Sequence, residues 1–156
     1  MENSVWTQSF HSPFGELLLG DYQGQLCLCD WRHRKMRDTI DRRIQTQLKA
    51  IYKEGNTPTI ALAIKQLNEY FTGTRTQFNL PILLVGTDFQ KTVWEDLLRI
   101  PYGQTVSYLA LSQRLGNIQA IRAVAAANGA NALSIIVPCH RVVGHDGKLV
   151  GYAGGI

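Results

Sequence analysis

The run from Ser134 to Gly144, SIIVPCHRVVG, sets a thiol, an imidazole and a guanidinium on consecutive residues, Cys139, His140 and Arg141. These are the groups of nucleophilic catalysis. A cysteine with an ordinary pKa of about 8.5 is mostly protonated at neutral pH, so a nucleophilic Cys139 needs a proton acceptor or a positive field. Ile135, Ile136 and Val137 predict an extended, buried approach, which by itself raises the pKa of the thiol, and Pro138 stiffens the entry. His140 is the nearest acceptor. Neighbouring side chains of an extended chain point to opposite sides, so direct contact needs a turn and a bridging water is the simpler geometry. The same residues also allow a bland reading, a small buried hydrophobe beside two cations. For Cys27 and Cys29 the bland reading is the expectation: they alternate on a strand, and with only His33 nearby they make a poor zinc site. No metal is expected.

Other segments must position this thiol. The chain has 156 residues, 45% of them hydrophobic, which is enough for a core, and a formal net charge of +4 with a pI near 9.1. A mild basic excess permits a polyanionic partner without requiring one. Three irregularly spaced cysteines argue against a disulfide framework and suit a reducing compartment, so a cytoplasmic location is expected. No signal segment is visible, and no apolar run approaches the ~20 residues that span a bilayer, so no membrane partner is expected.

From Trp6 to Trp31, short apolar runs alternate with Gly-containing turns, including one at Gln23-Gly24, which predicts a hairpin or meander. Arg32, Arg34, Lys35, Arg37, Arg42 and Arg43 then crowd a stretch opposed only by Asp38 and Asp41, a pattern read first as a solvated face and second as a nucleic-acid contact. After Pro58, the spacing of Ile60, Ile64, Leu67 and Phe71 predicts an amphipathic helix ending before Gly73. Phe78-x-Leu80 before Pro81 predicts a last short strand. A first unit over 1–80, a linker over 81–86 and a second unit over 87–156 follow.

In the second unit, Thr87 and Gln90 have the spacing of a capping box, and Phe89, Val93, Leu97 and Ile100 predict one apolar face ending at Pro101. Ser107 can cap a short helix over 108–115, closed by Gly116-Asn117, and another runs from about Gln119 to Asn128. The pair reads as a helix-turn-helix. Its second helix carries Arg122 and then alanines. Ala123, Ala126 and Ala127 either keep the helix thin enough to approach a nucleic-acid groove, with Arg122 reaching ahead, or pack against the core.

The run PCHRVVG resembles the active-site signature of the methylated-DNA--protein-cysteine methyltransferases, the O6-alkylguanine-DNA alkyltransferases. GTDFQKTVWEDLLRIPYGQTVSY, IRAVAAANGANALSIIVPCHRVVG and DGKLVGYAGG are similar to family segments in the expected order, and QLNEYFTGTRTQFNLP resembles the end of the family's N-terminal domain. The resemblance covers essentially the whole chain. It implies an α/β fold class, with an N-terminal ribonuclease H-like α/β domain and a C-terminal helical domain of winged-helix type. It implies DNA repair without a cofactor: a monomer binds the minor groove of double-stranded DNA containing O6-alkylguanine, the damaged base flips out, and Cys139 takes the alkyl group once and irreversibly. By the resemblance, Arg122 fills the gap in the base stack and Tyr108 hydrogen-bonds the flipped base. Asn131 braces the turn before the active-site loop, and the backbone of Cys139 and Val142 reads the guanine amino group. Tyr152 and Ala153 contact the altered oxygen, while His140 serves the thiol. Arg141 is a further candidate DNA contact, or a surface salt-bridge donor.

Ala132 stands where the family commonly has proline and Ala125 where glycine is frequent. The family continues past GYAGG with a helix whose glutamate orients the active-site histidine, whereas this sequence stops at Ile156. A truncated chain and a weakened relative are both compatible with that. One alternative is therefore a lesion-recognition module of the same fold with weak or no transfer. A cysteine hydrolase is another, and it requires a base and an oxyanion site in a cleft.

Overall fold

A computed structural model describes residues 3–144, at Ile118 the backbone alone. The chain divides into two compact units that part between Val85 and Gly86.

In the first unit, β1 (Ser4–Ser12), β2 (Gly15–Tyr22) and β3 (Gln25–Trp31) form an antiparallel meander. Gln23 and Gly24 both have positive φ, 53° and 87°, the geometry that lets a two-residue turn follow the twist of its strands. Helix α1 (Arg37–Leu48) leads to β4 (Ile51–Glu54), which pairs parallel with β1 and completes a mixed sheet of order β3-β2-β1-β4. Helix α2 (Pro58–Phe71) begins where Thr57 Oγ1 accepts from the Ile60 amide and Pro58 fills the first turn, and Gly73 follows its end with a φ of 82°.

Three expectations for this unit are corrected. The basic stretch is not simply a solvated face. Asp30 is fully buried and pairs with Arg34 at 3.1 Å and Arg37 at 2.7 Å, while Arg37 also reaches Asp41 at 2.9 Å. A buried carboxylate demands such partners, so two of the cations are drawn inward, Arg37 from the helix that buries Ile40 and Ile44. The strand expected at Phe78–Leu80 is absent. In its place Leu26 N donates to the Pro81 carbonyl (2.7 Å) and Leu83 N donates to the Leu26 carbonyl (2.9 Å), an isolated bridge next to a proline that has no N–H for a ladder. Helix α2 buries Ile60, Ala63, Gln66 and Leu67 and leaves Ile64 and Phe71 half-exposed, because the Gln66 amide exchanges two hydrogen bonds with the Asn79 backbone and turns that face inward.

The second unit opens on α3 (Asp88–Leu97) with the expected capping box: Thr87 Oγ1 accepts from Gln90 N and Gln90 Oε1 accepts from Thr87 N. Val93, Leu97 and Ile100 are buried as expected, but Phe89 is 42% exposed and Trp94 takes the inward position. After α3 come β5 (Val106–Ser107), α4 (Tyr108–Arg114), a 3₁₀ turn (Ile118–Ala120), α5 (Ile121–Gly129), a second 3₁₀ turn (Cys139–Arg141) and β6 (Val142–Val143). Ser107 caps α4 by accepting from Ala110 N, and Gly116, with φ 81°, turns the chain toward α5. An N-terminal α/β unit with a mixed sheet is thus followed by a helical unit containing the helix pair read from the sequence.

Candidate active site

Strands β5 and β6 pair in parallel, Val106 with Val142 and Ser107 with Val143. Tyr108 directly follows β5 and the turn of Cys139 directly precedes β6, so this pairing brings the phenol and the thiol together. Cys139 is 1% exposed and Tyr108 7%. Between them stands Asn128, from the last turn of α5 and also 1% exposed. Its Nδ2 donates to the Cys139 carbonyl at 3.3 Å and to the Tyr108 hydroxyl at 3.4 Å.

The approach to Cys139 is not the extended run the apolar residues suggested. Ile135 has a φ of 74°, and Ile136 N donates to the Ser134 carbonyl at 2.8 Å, a γ-turn of the strained hand for a β-branched residue. Pro138 (φ −80°, ψ 63°) forms the opposite, relaxed γ-turn, with Cys139 N donating to the Val137 carbonyl at 2.7 Å. The thiol therefore sits on a compact, doubly turned loop. Asn131, 1% exposed, folds that loop: its Oδ1 accepts from Leu133 N and its Nδ2 donates to the Val137 carbonyl, both at 2.9 Å. A side chain here supplies the bonds that a backbone ladder supplies in a strand.

Burial, with Arg141 adding to it, holds the half-buried His140 down to a pKa of about 4, so its imidazole is neutral at neutral pH but a weaker proton acceptor than an ordinary histidine. Burial pushes the Tyr108 phenol up, and the hydrogen bond from Asn128 acts against that rise. Cys27 is pushed up to about 12 and Cys29 upward as well, chiefly by burial, which leaves both as inert thiols. Among the described residues no group of three or more His, Cys, Asp or Glu side chains is placed to hold a metal. No helix among them is long and apolar enough to cross a membrane.

The structure separates the remaining candidates. Arg122, Ala123 and Ala126 lie on the exposed side of α5. Ala127 departs from the expectation that grouped it with them: it is 3% exposed and its carbonyl accepts from the Trp94 indole at 2.8 Å, so it packs inward beside Val124. Arg141 Nη1 donates to the Ile100 carbonyl at 2.7 Å, and its guanidinium lies 5.7 Å from the Tyr102 ring. It thereby ties the 3₁₀ turn of Cys139 to the segment just after α3. Val142 is buried, with its backbone in the β5–β6 pair. Tyr152 and Ala153 lie outside the described residues. Sequence reasoning missed Asn128. A lone asparagine among alanines, in a helix turn that disfavours it, is the signal that could have found it.

Two family models match the chain. One, described as 6-O-methylguanine DNA methyltransferase, ribonuclease-like domain, covers residues 5–84; the other, described as 6-O-methylguanine DNA methyltransferase, DNA binding domain, covers residues 88–156. A Mycobacterium tuberculosis protein named methylated-DNA--protein-cysteine methyltransferase is 55% identical over 94 residues, 60% of this chain and 57% of that protein. The match thus spans less than two thirds of the mycobacterial relative. A Bacillus subtilis protein, the constitutive methylated-DNA--protein-cysteine methyltransferase, is 41% identical over 143 residues, 92% of this chain and 83% of its own length. Among solved structures, Mycobacterium tuberculosis OGT in complex with DNA superposes with a TM-score of 0.84 at 39% identity, over 97% of this chain and 86% of that one. With models matched along nearly its whole length, the chain belongs to the 6-O-methylguanine DNA methyltransferase family.

Proposed function

We propose that this protein repairs DNA by moving the alkyl group of O6-alkylguanine onto Cys139, once per molecule and without a cofactor. The observation that carries the reading is that Asn128 ties the buried Tyr108 phenol to the backbone carbonyl of the buried Cys139, on a helix that exposes Arg122, Ala123 and Ala126. An alkyl carbon on a guanine oxygen cannot meet a buried sulfur while the base is stacked, so the base must leave the duplex. The two exposed alanines let α5 approach the minor groove of double-stranded DNA closely, and Arg122 occupies the space the base vacates.

In the transfer, the thiol proton passes to the neutral His140. The sulfur forms a bond to the alkyl carbon as the carbon–oxygen bond breaks, and that electron pair remains on guanine. The departing base takes up one proton, His140 gives up the one it received so that the sum balances, and Tyr108 relieves the developing charge on the base by hydrogen bonding. The products are a thioether and unmodified guanine. A thioether has no carbonyl for water to attack, which makes the reaction stoichiometric. Asn131 keeps the loop folded, the backbone of Cys139 and Val142 reads the base, and Tyr152 and Ala153 meet the altered oxygen. The protein acts as a monomer in the cytoplasm, a setting supported by three cysteines that form no disulfide. The relatives named above are all described as methyltransferases, which favours transfer over lesion recognition alone.

The test is incubation with a duplex oligonucleotide carrying one O6-methylguanine, followed by peptide mass spectrometry. One methyl group on the Cys139 peptide, and none in Cys139→Ala, is expected. An unmodified Cys139 peptide overturns the proposal.

A further inference from the structure

The sequence draws attention to Cys139, His140 and Tyr108, but the residue that joins thiol loop and phenol is Asn128. Its amide orientation is fixed by chemistry. The Cys139 carbonyl can only accept, so the amide must turn its NH₂ group toward it, and the same group then faces the Tyr108 oxygen. A phenol oxygen that accepts this N–H has its own O–H swung away from Asn128. The amide therefore sets the direction in which the phenol donates.

A second observation argues that this arrangement is not kept for stability. Asn128 Oδ1 is buried with no hydrogen-bond partner among the described residues. Stranding an acceptor destabilises a fold, whereas an apolar side chain of similar volume would fill the same space without that penalty. Asparagine is also a poor helix former relative to the alanines before it. The residue is unfavourable in its own helix and only half satisfied, yet it contacts both groups that would handle the flipped base.

We infer that Asn128 is a positioning residue of the transfer reaction, one that aims the Tyr108 hydroxyl at the departing guanine while the Cys139 carbonyl holds its amide in register. This rests on the function proposed above. Through Tyr108, Asn128 acts on the rate of transfer at saturating DNA more than on DNA affinity, since it lies inside the unit and away from the exposed face of α5.

The test is a double-mutant cycle on single-turnover methyl transfer in the intact chain, with Asn128→Ala, Tyr108→Phe and the pair. With Tyr108 present, Asn128→Ala is expected to slow transfer about ten- to a hundredfold, up to the low end of what a positioned proton donor contributes. In the Tyr108→Phe background the same change is expected to slow it by less than about threefold, because the hydroxyl it aims is gone. Equal losses in the two backgrounds, or a loss expressed wholly as weaker DNA binding, overturn the inference and leave a structural role. If Asn128→Ala does not fold, Asn128→Asp preserves the shape: a carboxylate can only accept and pulls the phenol proton toward itself. The variant is then expected to transfer slowly at neutral pH and to recover, relative to the parent chain, as acid protonates the new carboxyl; a pH-independent ratio overturns the inference. A parent chain that transfers nothing defeats the proposed function itself, whereas an active parent with an additive cycle defeats only the role of Asn128.

Discussion

Replacing Asn131 by alanine isolates what holds the loop of Cys139 in shape. The side chain is 1% exposed and makes two hydrogen bonds of 2.9 Å, accepting from Leu133 N and donating to the Val137 carbonyl. Alanine removes both. The Val137 carbonyl still accepts from Cys139 N at 2.7 Å, so that oxygen is not stranded, whereas Leu133 N loses this acceptor inside a buried segment. One net hydrogen bond lost, at about 1 kcal/mol, and one buried donor deprived, at about 1–3 kcal/mol, predict a destabilisation of about 2–4 kcal/mol. With a urea dependence of about 2 kcal/mol per molar, the midpoint of unfolding falls by about 1–2 M. Urea titrations followed by tryptophan fluorescence and far-UV circular dichroism measure this directly. Asn131→Asp retains the acceptor for Leu133 but presents an anion to the Val137 carbonyl, so at neutral pH it is expected to destabilise as well. A stability of Asn131→Ala within about 0.5 kcal/mol of the parent, the range of an ordinary surface substitution, would refute the claim that this side chain folds the loop.

Two further outcomes follow from buried charge. Asp30→Ala leaves the guanidinium groups of Arg34 and Arg37 without their shared carboxylate and is expected to destabilise the first unit by about 3–5 kcal/mol in urea titration; an unchanged midpoint would show that the cations relax into solvent. His140, with a folded pKa of about 4 against an ordinary 6.5, stays neutral in the fold while the unfolded chain takes up a proton. Its contribution to stability is therefore fully present above about pH 6.5 and is lost as the pH falls toward about 4. His140→Gln should flatten the loss of stability across that window, and an identical slope in parent and variant would contradict the burial of the imidazole.

Local signals survive intact from sequence to structure. The capping box of Thr87 and Gln90, the Ser107 cap and the glycines after α2 and α4 act within a few residues of themselves and need no tertiary context. The expectations that fail depend on what a segment packs against. Nothing local marks Ile135 for a positive φ, which runs against the preference of a β-branched residue and is imposed by the closure that Asn131 makes with Val137. The charges of the basic stretch mask helix α1, because charge in a sequence reads as exposure while Arg37 makes its ion pairs inside the fold. Ala127 and Ala123 are the same residue type on one face of α5, and what packs over each end of the helix, with the Trp94 indole at the Ala127 carbonyl, separates the buried one from the exposed one.

All three cysteines are buried and outside any disulfide, Cys27 and Cys29 in the first unit and Cys139 in the second. A dilute thiol-reactive label can modify Cys27 or Cys29 only during an opening of the first unit, so the rate relative to an unhindered thiol gives the free energy of that opening. The first unit thus carries its own clock. Read peptide by peptide, one undisturbed chain would yield that opening energy without denaturant, and a ligand that enters the site of Cys139 would slow labelling there alone.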